Sequence, residues 1–427
     1  MAPGVFNIGE LRYKNRTTTF STAFINGDTT PWDAGNHTRV GAIAVPDLSG
    51  LTDSGLPDTT LVTRLHRRPA NIQALQDGLG FSFSTYLEGG PASGTVVPNN
   101  VADLLAQAMC KQSNIISPTA TQVDTPEAGT TTASIKATAH TGVVGQAALL
   151  GVRGDLLGNG EVRIIKALSD ADHFEVDMLT NGAMTTTADG IVFAQTVYLS
   201  PTATDFDYSD WLYIGHDTTS PDQYQTLGGV LTFELTGLAP GELPTVNFTI
   251  QNGSWRNHPT SNKPTIVTTD PAWNSPAGGE LALGGLFLAD SGTGVARNTY
   301  QVANVSINPG VTFVPIPDPS GTNGIGGFIK VPSTPTVEFD ALYGDSDAMP
   351  GLLDDYEAQT SKMATFQFGS TIGRTCAVDF QNLYIDAAPT RIDVNGLAGV
   401  HVVAHGDALA TPTGTDVRDA AMRIHFM

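Results

Sequence analysis

The chain repeats itself, and that constrains its fold more than any other feature. Val45-Pro46-Asp47-Leu48-Ser49-Gly50 returns as Ile316-Pro317-Asp318-Pro319-Ser320-Gly321, each time after one alternating stretch and before another. The stretches downstream of each copy recur in the same order. In the first half Phe81-Ser82-Phe83-Ser84-Thr85-Tyr86-Leu87 leads through a Gly-rich loop to Val101, Leu104, Leu105 and Ala108, which share one helical stripe. In the second, Thr336-Val337-Glu338-Phe339-Asp340-Ala341-Leu342 leads through Gly344-Asp345-Ser346-Asp347 to Leu352, Leu353 and Tyr356. Trp211-Leu212-Tyr213-Ile214-Gly215-His216 then matches Thr365-Phe366-Gln367-Phe368-Gly369-Ser370, each followed by a wide hairpin. Two copies of one unit suggest a building block rather than an enzyme with a single pocket.

A chain of 427 residues has room for two or three domains, each burying its own core. With 40% hydrophobic and 15% charged residues, and many Gly, Pro and Thr, it reads as short strands joined by turns. Lys and Arg total 21 against 42 Asp and Glu, a formal charge of -21, which argues against coating nucleic acid. No apolar run approaches the length of a membrane-spanning helix, and Met1-Ala2-Pro3-Gly4-Val5-Phe6 lacks the pattern of a signal peptide. Cytoplasmic synthesis without a membrane anchor is therefore expected. Cys110 and Cys376 stand alone, giving neither a disulfide framework nor a CxxC site, and both are expected to be small buried hydrophobes.

Along the first copy, Phe20–Ile25, Val40–Val45, Thr60–Leu65 and Phe81–Leu87 alternate with period two, and Asn99 or Asn100 can cap the helix after them. Residues 115–208 read as an insertion: stretches at 130–135, 161–166, 173–178 and 191–193 have strand character and are separated by turn residues. Leu231–Leu235 and Thr245–Ile250 flank a Gly/Pro turn as a hairpin. The stretch 252–279 is rich in Asn, Pro and Ser and has no periodicity, so it reads as a linker or extended arm. The expected division is 1–114 with 209–258 as one domain, 115–208 as an outward-facing inserted β domain, 259–279 as linker, and 280–427 as the second copy. The last copy ends in strands around Val378/Phe380, Ile392/Val394, Val400/Val402 and Met422–Met427.

No catalytic constellation is found. Arg153-Gly154-Asp155 reads as a turn, and the acidic residues Asp345, Asp347, Asp354, Asp355 and Glu357 lack the spacing of a calcium loop. His401 and His405 are four apart in what reads as strand and turn, a spacing not expected to bring both to one face. There is no HExxH, no GxSxG, no P-loop and no GxGxxG opening a helix. The sequons at Asn15, Asn36, Asn247, Asn252 and Asn304 are what a Thr- and Ser-rich chain produces by chance. No cofactor or metal is expected.

The order of elements resembles the major tail tube protein of long-tailed bacteriophages. The resemblance rests on Phe81–Gly90, the Leu104-Leu105 helix, the Thr-rich β insertion ending Val197-Tyr198-Leu199-Ser200-Pro201, and Thr226–Leu235. It implies a mainly β fold of two tandem tail-tube-like β-sandwich domains, each with a flanking short helix, plus an inserted small β-barrel domain. It further implies rings of three chains with pseudo-six-fold symmetry, or of six, that stack into a tube whose acidic lumen passes DNA without specific binding. Tape-measure and tail terminator or initiator proteins would be partners, and the virion tail the location. The loops after the two Pro-Asp-x-Ser-Gly segments, at Pro46, Asp47, Ser49, Gly50, Pro317, Asp318, Ser320 and Gly321, become candidate ring-stacking contacts. Excising 115–208 is expected to leave ring formation intact. The rival readings are another virion part or adhesin, such as a capsid decoration protein or tail fibre, and a carbohydrate-active enzyme using Asp379 and Asp393. The enzyme needs aromatic platforms beside paired acids, whereas Trp32, Trp211, Trp255 and Trp273 are scattered.

Overall fold

A computed structural model describes residues 7–16, 38–40, 80–90, 100–109, 112–113, 117–122, 125–128, 132–136, 142–150, 161–177, 190–200, 206–216, 223–236, 238–239, 242–251, 254–258, 281–290, 297–318, 325–331, 334–342, 348–370, 373–394, 396–408 and 420–427. The protein is mainly β, and its described residues form a 17-stranded sheet system, a separate seven-stranded sheet and a two-stranded hairpin, all antiparallel in their pairings. The expected strands at 20–25 and 60–65, and all but Val40 of the stretch 40–45, lie outside the described residues.

Alternation in the sequence becomes alternation in burial. In strand Gly80–Tyr86, Phe81, Phe83 and Thr85 point inward while Ser82 and Tyr86 are exposed. Thr336–Leu342 does the same with Val337, Phe339 and Ala341. Each such strand lies over a core of aromatic rings. Trp211 meets Tyr13, Phe81 and Phe83 at 5.5, 5.7 and 5.5 Å in the first half, and Phe366 meets Phe339 and Phe380 at 5.8 and 6.1 Å in the second. Edge and tilted contacts of this kind add to the burial energy of the rings. The helix Asn100–Met109 begins at one of the two expected capping asparagines and buries Val101, Leu104, Leu105 and Ala108. A second helix, Ala348–Ala358, buries Leu352.

Strand pairing repeats as the sequence does. Asn7–Arg16 pairs with Tyr208–His216, that with Gln223–Thr236, that with Thr245–Gln251, and that with Gly80–Tyr86. In the second half Leu281–Asp290, Lys362–Phe368, Cys376–Ile385, Leu397–Asp407 and Thr336–Leu342 pair in the corresponding order. Arg297–Asn308 pairs with both Leu281–Asp290 and Thr336–Leu342, which closes the second series into a ring of six strands. The two halves meet where Leu235 pairs with Ile307.

The stretch 252–279, which reads as a linker or extended arm, contributes a strand at its start, within the part that the expected division gives to the first domain. Ser254–His258 pairs with Gln223–Leu227, continuing the line that Thr245–Gln251 leaves at Val230. With Trp255 as its one large apolar residue the segment has no visible period, and pairing with an open edge supplies what pattern does not.

Seven strands between Ser117 and Phe193 form the separate sheet. Gln112–Ser113 and Gln195–Tyr198 lead into and out of it and pair with each other. Gln195–Tyr198, expected within the insertion, pairs along its other edge with the C-terminal strand Arg423–Phe426. Excising 115–208 would strip that edge, so the removable unit ends before Gln195. One side of the inserted sheet is also seated: Ala147, Leu149, Val162 and Ile164 pack with Ala377 and Met427, and the Val162 N–H donates to Gln367 Oε1 at 2.9 Å.

At the same junction Gly89 and Gly90 let backbones touch. A Cβ on Gly90 would lie 2.6 Å from Met427 backbone atoms, and the Gly90, Gly373 and Thr375 N–H groups all donate to the Met427 carbonyl oxygen. The neighbouring Glu88 is 6% exposed, and burial raises its pKa to about 7. The folded state therefore holds a proton that the unfolded chain loses above its ordinary pKa of 4.5, and stability falls as pH rises from there through 7. Glu88→Gln is expected to stabilise the protein at pH 8 by roughly 2–3 kcal/mol and to change little at pH 4, checked by denaturant melts at both pH values.

Candidate functional site

Joining the halves at Leu235 and Ile307 makes one run of sheet, with strands Gly80–Tyr86, Thr245–Gln251, Gln223–Thr236, Arg297–Asn308, Thr336–Leu342 and Leu397–Asp407 side by side. One face of this run covers the core. The register puts the opposite positions together on the other face. From one side to the other these include Ser82 and Ser84, Asn247 and Thr249, Thr232 and Glu234, Asn304 and Ser306, Glu338 and Asp340, and His401, His405 and Asp407. The named positions carry hydroxyl, amide, carboxylate and imidazole groups, with no Lys or Arg among them, and Val403 stands between the two histidines. Short hydrogen bonds knit it across strands: Ser84 Oγ donates to Asn247 Oδ1 at 2.6 Å, and Asn247 Nδ2 to Thr236 Oγ1 at 3.1 Å.

His401 and His405 do share this face, contrary to the expectation. The strand runs unbroken to Asp407, and four residues are two full periods of a strand. They do not act as a pair: His401 Nδ1 contacts Asp340 Oδ1 at 2.7 Å, and His405 Nδ1 contacts Asp386 Oδ1 while its ring stacks on Tyr384.

The second feature is the hairpin of Thr312–Pro317 and Ile325–Val331, which forms a two-stranded sheet of its own. Its inner face carries Phe313, Phe328 and Lys330 onto the first half: Phe313 meets Phe206 at 5.3 Å, the Phe328 N–H donates to Tyr208 Oη at 3.2 Å, and Lys330 Nζ donates to the Ser200 carbonyl at 2.8 Å. Its outer face is apolar and bare. Val314, Ile316, Ile329 and Val331 are 50%, 39%, 51% and 42% exposed and form one apolar stripe.

Of the predicted contact residues, Pro317 ends the first strand of this hairpin and Asp318 follows it, with the Asp318 side chain against Gly326. Ser320, Gly321 and all four of Pro46, Asp47, Ser49 and Gly50 lie outside the described residues, as does Arg153-Gly154-Asp155. The structure thus joins two of the eight to one exposed element. The polar face and the apolar stripe went unremarked in the sequence, although their signals lie there: the Ser, Thr and Asn at alternate positions, and Val314, Ile316, Ile329 and Val331 out of phase with Phe313 and Phe328.

The enzyme candidates have structural employment. Asp379 is fully buried in an ion pair with Arg423, accepting from Arg423 Nε at 2.7 Å and from Thr365 Oγ1 at 3.2 Å, and Asp393 accepts from the Gly396 N–H at 2.7 Å in a turn. Asp355 pairs with Lys362 Nζ at 2.9 Å. Cys376 is buried, which pushes its thiol pKa far up; Cys110 lies outside the described residues. Among the described residues, no group of three or more His, Cys, Asp or Glu is placed to hold a metal ion, and no helix is long and apolar enough to cross a membrane. No protein-family model and no curated protein matches the chain.

Lys330 is 1% exposed, so its bond to Ser200 anchors the hairpin from inside. Lys330→Ala is expected to cost about 1.5–3 kcal/mol and to loosen the hairpin first. Hydrogen exchange would then speed up in 312–317 and 325–331 before it does in 376–385.

Proposed function

We propose that the chain is a structural virion protein that polymerises into stacked rings, forming the tail tube of a long-tailed bacteriophage, the acidic conduit for DNA. On this reading each chain supplies two tandem β-sandwich domains with their flanking helices, and three chains close a pseudo-six-fold ring. The polar face described above lines the lumen. The observation that carries the reading is that face: it runs across both halves, presents Glu234, Glu338, Asp340 and Asp407, and lacks Lys and Arg at the positions named. DNA phosphates meeting such a surface are repelled or met by weak neutral donors, so the polymer slides without a holding contact. The recurring pairing order supports the duplication, and a chain formal charge of -21 agrees with it.

The bare stripe of the 312–331 hairpin is then a contact between copies, with Pro317 and Asp318 at its outer end. The inserted sheet lies away from the lumen, and the tape-measure and the terminator or initiator proteins are the remaining partners. The protein would be made in the bacterial cytoplasm and reside in the virion tail.

Electron microscopy of the purified chain at high concentration, with averaging of any rings, tests the reading. Hollow tubes with a three-fold repeat of two similar lobes are expected. A six-fold of whole chains would keep the tube and reject the trimer; globular particles at every concentration, even with tail initiator protein added, would count against it. Val314→Asp with Ile329→Asp should leave the fold near wild-type stability, because both side chains are already exposed, and abolish tubes. Tubes formed by that double variant would remove the hairpin from the contact.

A further inference from the structure

The same strand slot is filled twice in this fold, by very different tethers. In the first half Thr245–Gln251 pairs with Gln223–Thr236 as far as Val230, and after only Asn252 and Gly253 the strand Ser254–His258 takes up the same edge from Leu227. In the second half Leu397–Asp407 pairs with Cys376–Ile385 as far as Asn382, and the strand Arg423–Phe426 takes up the same edge from Asp379. The step along the partner strand is three positions in both cases. The chain between is two residues in one and the whole of 408–422 in the other.

The C-terminal strand is also the better seated of the two. Both of its edges are paired, to Cys376–Asp379 on one side and to Gln195–Tyr198 on the other. Ile424 and Phe426 enter the main core, Arg423 meets Asp379 with neither side chain exposed, and three N–H groups close on the Met427 carbonyl. Its specificity is therefore local to the slot and independent of which chain delivers it.

We infer that this strand is exchangeable: the slot between Gln195–Tyr198 and Cys376–Asp379 accepts the Arg423–Phe426 strand of a second copy of this chain. A tether of 408–422 can reach on the order of 50 Å when extended, far beyond the three-position gap it must close at home. Fifteen residues are thus long enough to deliver the strand to the slot of a neighbouring copy, where two are not. An exchanged strand makes every contact its home strand makes, so the swap costs little beyond bringing the copies together. The two-residue link of Ser254–His258 allows no such choice. Any close association of copies suffices for the exchange, which does not rest on the tail-tube reading.

Thr196 and His425 stand opposite each other in the slot, with Thr196 Oγ1 and His425 Nδ1 2.9 Å apart. Chains carrying Thr196→Cys are mixed with chains carrying His425→Cys, concentrated, and oxidised mildly. A disulfide-linked pair of unlike chains, growing with concentration, is expected. If the doubly substituted single chain forms its internal disulfide while the mixture yields no linked pair, the strand does not exchange and the inference fails. A readout without substitutions uses a dye-labelled synthetic peptide of residues 420–427 incubated with the intact full chain in mild denaturant and then returned to buffer. Saturable retention of the peptide is expected, and its absence at peptide excess would equally overturn the inference.

Discussion

An open strand edge is the constraint on which the rest of this structure depends. Every strand offers two rows of backbone donors and acceptors, and a row left bare pairs with whatever it meets. The second half answers by closing on itself, Arg297–Asn308 turning from Leu281–Asp290 to Thr336–Leu342 to complete the ring. The first half has no such closure among the described residues, and its strand Gln223–Thr236 is covered by the second half at Leu235. Gln195–Tyr198 is covered by the C-terminal strand in the same way. The halves are thus joined at strand edges as well as through a shared core and the hairpin, and the continuous polar face follows from the edge joining.

Edges alone do not explain why the junction is so polar. Beneath the inserted sheet lie Arg423, Asp379, Thr365, Gln367 and His425, all buried. Burying one ion pair this deeply costs desolvation on both partners, which the Coulomb gain and the added hydrogen bonds must offset. Arg423 uses Nε and one terminal nitrogen on Asp379 and Gln381, while Nη1 is left without a partner, as is His425 Nε2. Burial, with the charge of Arg423 adding to it, holds His425 well below the usual histidine range and therefore neutral. The arrangement fixes register: a slip of one residue would carry Arg423 into the core and Ile424 onto Asp379, an error the apolar pattern alone would punish less.

Strands whose own residues decide their place were legible in the sequence. Phe81 and Phe83, Phe366 and Phe368, and the stripe of Val101, Leu104, Leu105 and Ala108 are such cases, because burial of one face needs only local period. Ser254–His258 was not legible, since its place comes from the edge it meets. Nor were the buried charges. Lys330 and Arg423 are charged residues within strands, and only the tertiary partners, Ser200 and Asp379, make them inward positions. His401 and His405 were misplaced for a simpler reason: the stretch reads as strand and turn, and pairing with Thr336–Leu342 along 399–405, with Thr390–Val394 along 397–401 and with Cys376–Ile385 along 404–407 makes it one continuous strand. Of the candidate site, Pro317 and Asp318 were visible by repetition, while the polar face needed the register of six strands at once.

That face also explains why the two halves can be alike in pairing and unlike in sequence. Its inward neighbours are fixed by packing, where a methylene gained or lost is felt. Outward positions have only to be compatible with water and with the opposite residue across the strand. Ser84 with Asn247 in one half and Asp340 with His401 in the other satisfy that demand equally, one by amide and hydroxyl, the other by carboxylate and imidazole. On the proposed reading the face must avoid fixed positive charge, since each Lys or Arg would add a phosphate contact and a counterion to release. The two histidines are the only cationic prospects at the named positions, and each lies against a carboxylate that its charge would neutralise before it reached a phosphate. On that reading the composition of the face comes from excluding one kind of group rather than from requiring another, and a residue type excluded over six strands leaves no motif in the sequence.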